Sequence, residues 1–134
     1  MKPKHFTLVA ISCIWAVTLF AQSTPPPKQW DKRFGGSAAD RLNVIRQTDD
    51  GGYIMGGSSE SGSGGDKTES SRGLSDYWLI KVDASGVKQW DKTFGGNADD
   101  LLSMIVQTSD GGYILGGSSK SGLSGDRSED SRGL

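Results

Sequence analysis

Apolar positions in this chain fall into short clusters cut by Gly, Asp and Ser. In YWLIKVD, residues 77–83, Trp78, Ile80 and Val82 fall on one side of an extended backbone, with Tyr77 and Leu79 on the other. VKQWDKTF, residues 87–94, follows a short Ala-Ser-Gly break and is placed to pair with it as a hairpin. LLSMIVQT, residues 101–108, comes next. Strict alternation there predicts Leu102, Met104 and Val106 on one face, with Leu101 and Ile105 on the opposite one. YILGGSS, residues 113–119, closes the series. Short β-branched and aromatic segments, evenly spaced between Gly and Asp turns, predict an all-β architecture. Apolar residues on both faces predict a sheet covered on both sides.

The pattern recurs. KQWDKRFGG at 28–36 returns as KQWDKTFGG at 88–96, and SRGL at 71–74 returns at 131–134. The offset of 60 holds without a gap between 28–74 and 88–134, with about two thirds of the positions identical. One period holds four predicted strands, and the first copy supplies three, at 29–34, 42–48 and 53–59. Four-stranded antiparallel sheets stacked face to face are the blades of a β-propeller, where each repeat buries its faces only against neighbours. The chain would supply roughly one and three-quarter blades, whereas a ring takes about four to eight. The expected organisation is a leader at 1–21, a Pro-rich spacer at 22–28, a first repeat at 29–76 and a second at 77–134. Three outcomes follow: a partial protein, an oligomer that completes a ring, or an open stack whose exposed edges self-associate.

The leader changes the setting. Lys2 and Lys4 precede an apolar run at 6–20, and Ala21 supplies a small residue before a cleavage site. That is the form of a secretory signal peptide, helical before removal and cleaved after Ala21. The run is shorter than the roughly 20 residues a bilayer span needs, so no stable membrane span is expected after cleavage. Losing the leader removes Lys2 and Lys4 and takes the formal charge from −1 to −3. It also removes the only His, His5, and the only Cys, Cys13. No basic stripe remains to neutralise phosphates, which argues against nucleic acid as a partner. No internal disulfide can form, although export places the chain in an oxidising compartment or at the cell surface.

The run at 76–119, from DYWLIKVD to YILGGSS, resembles the repeat of secreted bacterial β-propeller-like proteins of the Bacteroidota. SGLSGDRSED at 121–130 is similar to the SGxSGDKTE spacer between such repeats. The resemblance covers nearly all of the chain after the leader and marks a repeat type rather than an activity. It implies many repeats and often a C-terminal sorting domain of the type IX secretion system. Here the sequence ends at SRGL, where the first copy continues into SDYWLIKVD, and carries no such domain. A fragment is therefore expected, and surface anchoring is not implied.

Candidate chemistry is sparse. Without His or Cys there are no His-based triads, thiol nucleophiles or typical zinc sites. Asp49, Asp50, Asp99, Asp100 and Asp110 are expected at turns, where Asp bonds its own backbone. Asp50-Gly51-Gly52 and Asp110-Gly111-Gly112 read as hairpin turns, because a phosphate loop would need a helix after the glycines. The stretch at 108–112 also partly resembles the Asp-box hairpin of sialidase-type propellers, with Leu115 where that motif expects an aromatic residue. Glycoside hydrolysis would need two carboxyl groups held about 5 to 10 Å apart across a cleft.

The Gly/Ser spacers are the candidate ligand loops. Asp66 with Glu69, and Asp126 with Glu129 and Asp130, are candidate calcium ligands, although neither loop has EF-hand spacing. Arg72 and Arg132 are candidate anion clamps. Trp30, Trp78, Trp90, Tyr53, Tyr77 and Tyr113 would either stack on sugars or pack between sheets, and their place within strands favours packing. The expectation is an exported, non-catalytic scaffold or binding surface needing no cofactor, with carbohydrate or envelope proteins as candidate partners. A propeller lectin completed by oligomerisation and a partial glycosidase are the alternatives.

Overall fold

A computed structural model describes residues 27–132, so the leader and its cleavage site lie outside the described residues. The described chain is all-β, with six strands: β1 (Asp40–Gln47), β2 (Tyr53–Ser59), β3 (Asp76–Val82), β4 (Lys88–Phe94), β5 (Asp100–Gln107) and β6 (Tyr113–Ser119). All sheet pairings between these strands are antiparallel. β1 to β4 form one sheet in the order β1-β2-β3-β4, and β5-β6 form a second.

The four-stranded sheet therefore straddles the two copies of the repeat. Residues 60–75 return the chain so that β2 of the first copy pairs with β3 of the second, Gly57 opposite Trp78. The four strands of one period, β3 to β6, are divided between two sheets. The segment 29–34, expected to be a strand, is coil with no ladder partner among the described residues. Its side chains hold it instead: the Trp30 indole N–H donates to the Ala84 carbonyl at 3.0 Å, and Phe34 packs on Met55 and its neighbours.

The two hairpin turns are alike. Thr48 N–H donates to Gly52 O at 2.9 Å and Gly51 N–H to Thr48 O at 2.8 Å; Thr108, Gly111 and Gly112 repeat the pair at 2.9 Å each. Gly51 and Gly111 have φ of 79° and 83°, a region where a Cβ is strained, so glycine is required there.

The predicted faces of β3 hold, but those of β5 do not. A bulge shifts the β5–β6 register between Leu102 and Met104. The extra residue, Ser103, switches the alternation, because a one-residue slip exchanges faces. Leu102 and Ile105 thus share the buried face, while Leu101, Met104 and Val106 are exposed. The same bulge occurs in β1 between Leu42 and Val44.

Two cores result. Leu102 and Ile105 pack on Val44, Ile54 and Leu79, which joins the two sheets face to face. The other face of the large sheet gathers Met55, Trp78, Ile80 and Val82 under Phe34 and Tyr53. The close approach of the sheets requires Gly56: a Cβ there would lie 2.5 Å from Leu102 Cδ2 and 2.6 Å from Ile105 Cδ1.

Candidate functional site

The acidic residues of the loops are tied to backbone at both copies. Asp40 Oδ2 accepts from Gly36 N–H at 2.8 Å and from the Ser61 hydroxyl at 3.1 Å. Asp100 Oδ2 accepts from Gly96 N–H and Ser121 at 2.8 Å each. Asp66 takes Gly35 N–H at 3.1 Å, as Asp126 takes Gly95 N–H at 3.3 Å. These bonds clamp each Gly/Ser spacer onto the Phe-Gly-Gly turn of its own copy. Asp100 begins β5 rather than standing in a turn.

The calcium candidates make separate bonds. Glu69 accepts from Lys92 at 2.7 Å and from Thr93 N–H at 2.9 Å, and the Lys92 bond, with that N–H, draws its pKa down. Asp126 also pairs with Arg72, Glu129 with Arg132 at 2.9 Å, and Asp130 accepts from Ser131 N–H at 2.9 Å. Among the described residues no group of three or more His, Cys, Asp or Glu side chains gathers around one point. Arg72 and Arg132, the candidate anion clamps, are thus engaged with carboxylates.

At the turns Asp50 and Asp110 differ in one partner. Both accept from the hydroxyl two residues before and the glycine N–H two residues after. Asp50 also receives Lys81 Nζ at 2.8 Å, and that bond chiefly holds its carboxyl well below the usual carboxylate range. For Asp110 the Thr108 hydroxyl is the main cause of a lowered pKa. Asp49 N–H reaches across to Gln107 Oε1 at 3.1 Å, and Asp99 pairs with Lys120 at 3.4 Å.

The aromatic residues pack. Trp30 meets Tyr53 and Trp90 meets Tyr113, both edge-on. Trp78 is buried, and its indole N–H donates to Asp91 Oδ2 at 3.0 Å. Tyr77 lies against β6, its hydroxyl 3.4 Å from Ser118 O.

Buried polar groups that the sequence did not single out organise the first spacer. Lys67 Nζ donates to Glu69 O at 2.7 Å, Thr93 Oγ1 at 2.8 Å and Ser71 Oγ at 3.3 Å, which uses its three donors. Burial lowers its pKa. Asp91 accepts from Lys88, Thr68 N–H and Trp78. Asp76 is different. Its Oδ2 takes Arg72 N–H at 2.6 Å, while its Oδ1 is buried without a partner. It shares the flanks of Gly95 with Asp100, since a Cβ there would lie 2.4 Å from Asp76 Oδ1 and 2.8 Å from Asp100 Oδ2. Burial, then the Asp100 charge, raises the Asp76 pKa. The signal for such sites was available at Asp40/Asp100 and Ser61/Ser121, which are identical in both copies amid changing neighbours. Asp76 has no second copy in the sequence and gave no such signal.

One concave surface adjoins the Asp40 clamp. A groove of about 260 Å³ runs between residues 32–34 and the large sheet. Phe34, Leu42, Met55, Trp78 and Ile80 supply apolar lining, and Lys32, Arg33 and Arg41 outnumber the one carboxylate, Asp40, at its rim. It is a largely apolar cleft with mostly cationic charged side chains, which suits an apolar or amphipathic segment better than it suits acid–base chemistry.

Among known proteins, the chain matches no family model, no curated protein and no solved structure.

Proposed function

We propose that the chain is an exported, non-catalytic repeat module of β-propeller type that serves as a scaffold or binding surface outside the cytoplasm. One observation supports the non-catalytic reading: two pairs of carboxylates at the 60-residue offset make the same structural bond in both copies. Asp40 and Asp100 hold Gly36 and Gly96, and Asp66 and Asp126 hold Gly35 and Gly95. A catalytic pair would need two carboxyl groups free to act across a common cleft; Asp100 and Asp126 do line one cleft of about 220 Å³, but each is taken by a backbone N–H of its own turn, at 2.8 and 3.3 Å. On this reading the four-stranded sheet is one blade and β5-β6 begin the next. The groove beside Phe34 and Met55 is the surface best shaped for a partner.

The test has two arms. Mass measurement of the secreted chain should give a product beginning at Gln22, and retention of residues 1–21 would refute export by a cleaved leader. Incubation with chromogenic glycosides should give no turnover. Hydrolysis abolished by Asp110→Asn in a variant with unchanged circular dichroism would establish a glycosidase instead.

A further inference from the structure

The contact that joins the two sheets is built from residues that occur twice, yet only one set is used. Leu102 and Ile105, 1% and 0% exposed, are the knobs; Val44, Ile54 and Gly56 form the hollow that receives them. Sixty residues earlier stand Leu42 and Ile45, the same residue types on either side of the same bulge, 62% and 45% exposed. Sixty residues after the hollow stand Met104, Ile114 and Gly116; Met104 and Ile114 are 46% and 56% exposed. The molecule thus carries unused knobs at one end of the stack and an unused hollow at the other.

We propose that a second copy of this chain docks head to tail, with Leu42 and Ile45 of one copy seated over Gly116 between Met104 and Ile114 of the other. The internal contact states what covers such a hollow, because it is the same surface displaced by one repeat. The fit is available in detail. The Met104 side chain lies over Gly116, its flexible end Cε 3.0 Å from where a Cβ would sit, and a docking side chain displaces it to reach the floor. Leu101 and Val106 extend the apolar hollow beside it, both exposed. Gln47 stands where Gln107 accepts the Asp49 N–H across the internal contact. The match is not complete, because Leu79 of β3 also lines the internal contact and, among the described residues, no third strand joins β5-β6. The docked contact is therefore weaker than the internal one and depends on concentration. Being heterologous, it leaves a knob face and a hollow free after each addition, and so builds rings or open stacks rather than closed two-fold dimers.

This inference rests on the internal contact and not on export or the absence of catalysis, so its test is separate. The full chain is examined by light scattering over a range of concentrations. The wild type should grow beyond a dimer as concentration rises. Ile45→Asp removes the knob and Ile114→Asp spoils the hollow, so each variant alone should remain monomeric. Mixed in equal amounts they should form a one-to-one dimer and nothing larger, since each supplies the surface the other lacks. Both positions are solvent-exposed, and circular dichroism with thermal melting checks that the folds are kept. If either variant melts early, Leu42→Ser and Met104→Ser replace it. A wild type that stays monomeric at all concentrations would overturn the proposal and leave the surface to a further repeat of a longer chain. Association that survives either substitution would overturn it as well, as would a mixture that yields no dimer.

Discussion

Trp90 meets Tyr113 edge-on with ring centroids 6.0 Å apart and planes at 61°. Trp30 meets Tyr53 in the same way, at 5.8 Å and 65°. Trp90 lies on a strand of the large sheet, whereas Trp30 lies in coil without a ladder. The side-chain geometry of the repeat is therefore kept even where the strand itself is not formed. Segment 29–34 stands to the large sheet as β4 stands to β5-β6.

Edge-to-face aromatic pairs contribute about 0.5–1.5 kcal/mol beyond their area. Double-mutant cycles with Trp30→Leu and Tyr53→Leu, and with Trp90→Leu and Tyr113→Leu, should return couplings in that range for both pairs. A coupling at only one pair would show that the first copy is not packed like the second.

Gly56→Ala should destabilise by about 1–3 kcal/mol, because the new methyl meets the ends of Leu102 and Ile105 below 3 Å in a packed interface. Gly116→Ala should cost less, since only the flexible tip of Met104 lies near it. Denaturant melts of the two variants check the order.

Asp76 holds a buried, unpaired oxygen beside Asp100. Asp76→Asn replaces it with an amide donor and should raise stability at neutral pH by about 1 kcal/mol. The sign with pH is fixed by the raised folded-state pKa. The wild-type penalty is present above that pKa and is relieved as pH falls through it toward the unfolded value of about 3.9. The advantage of Asn should therefore shrink on acidification, which melting temperatures between pH 7 and pH 4 would register.

Asp50 behaves in the opposite sense. Its pKa is depressed, first by Lys81, so the stability it contributes is present above the unfolded value and is lost only as pH falls through the folded one. Asp50→Asn should lower the melting temperature at pH 7, and most of that gap should persist at pH 4. Asp110→Asn should have a smaller effect, since Asp110 lacks the Lys81 partner.

The sequence made the hairpins legible, because Asp-Gly-Gly turns announce themselves through a glycine that must take positive φ. The faces of β3 were legible because alternation there is unbroken. Those of β5 were not, because a bulge at Ser103 reverses the alternation and leaves no mark in hydropathy. The pairing of β2 with β3 was likewise hidden. The 60-residue period groups strands by sequence, whereas residues 60–75 carry the chain back to an edge of the earlier copy. Lys67, Lys81 and Asp91 were missed because a charged residue in an alternating strand or a Gly/Ser loop reads as solvated. Their burial follows from the clamped spacer and from strand pairing, neither of which local pattern encodes.

The arrangement is tested most directly by cross-strand proton contacts in solution. If the large sheet straddles the repeats, backbone nuclear Overhauser effects should link Gly57 to Trp78 and Met55 to Ile80 across β2 and β3, and none should link β4 to β5 as a ladder. The Leu102 and Ile105 methyls should also reach the Gly56 α-protons. A ladder between β4 and β5, with no contacts between β2 and β3, would mean that each 60-residue copy folds its own sheet and would contradict the account.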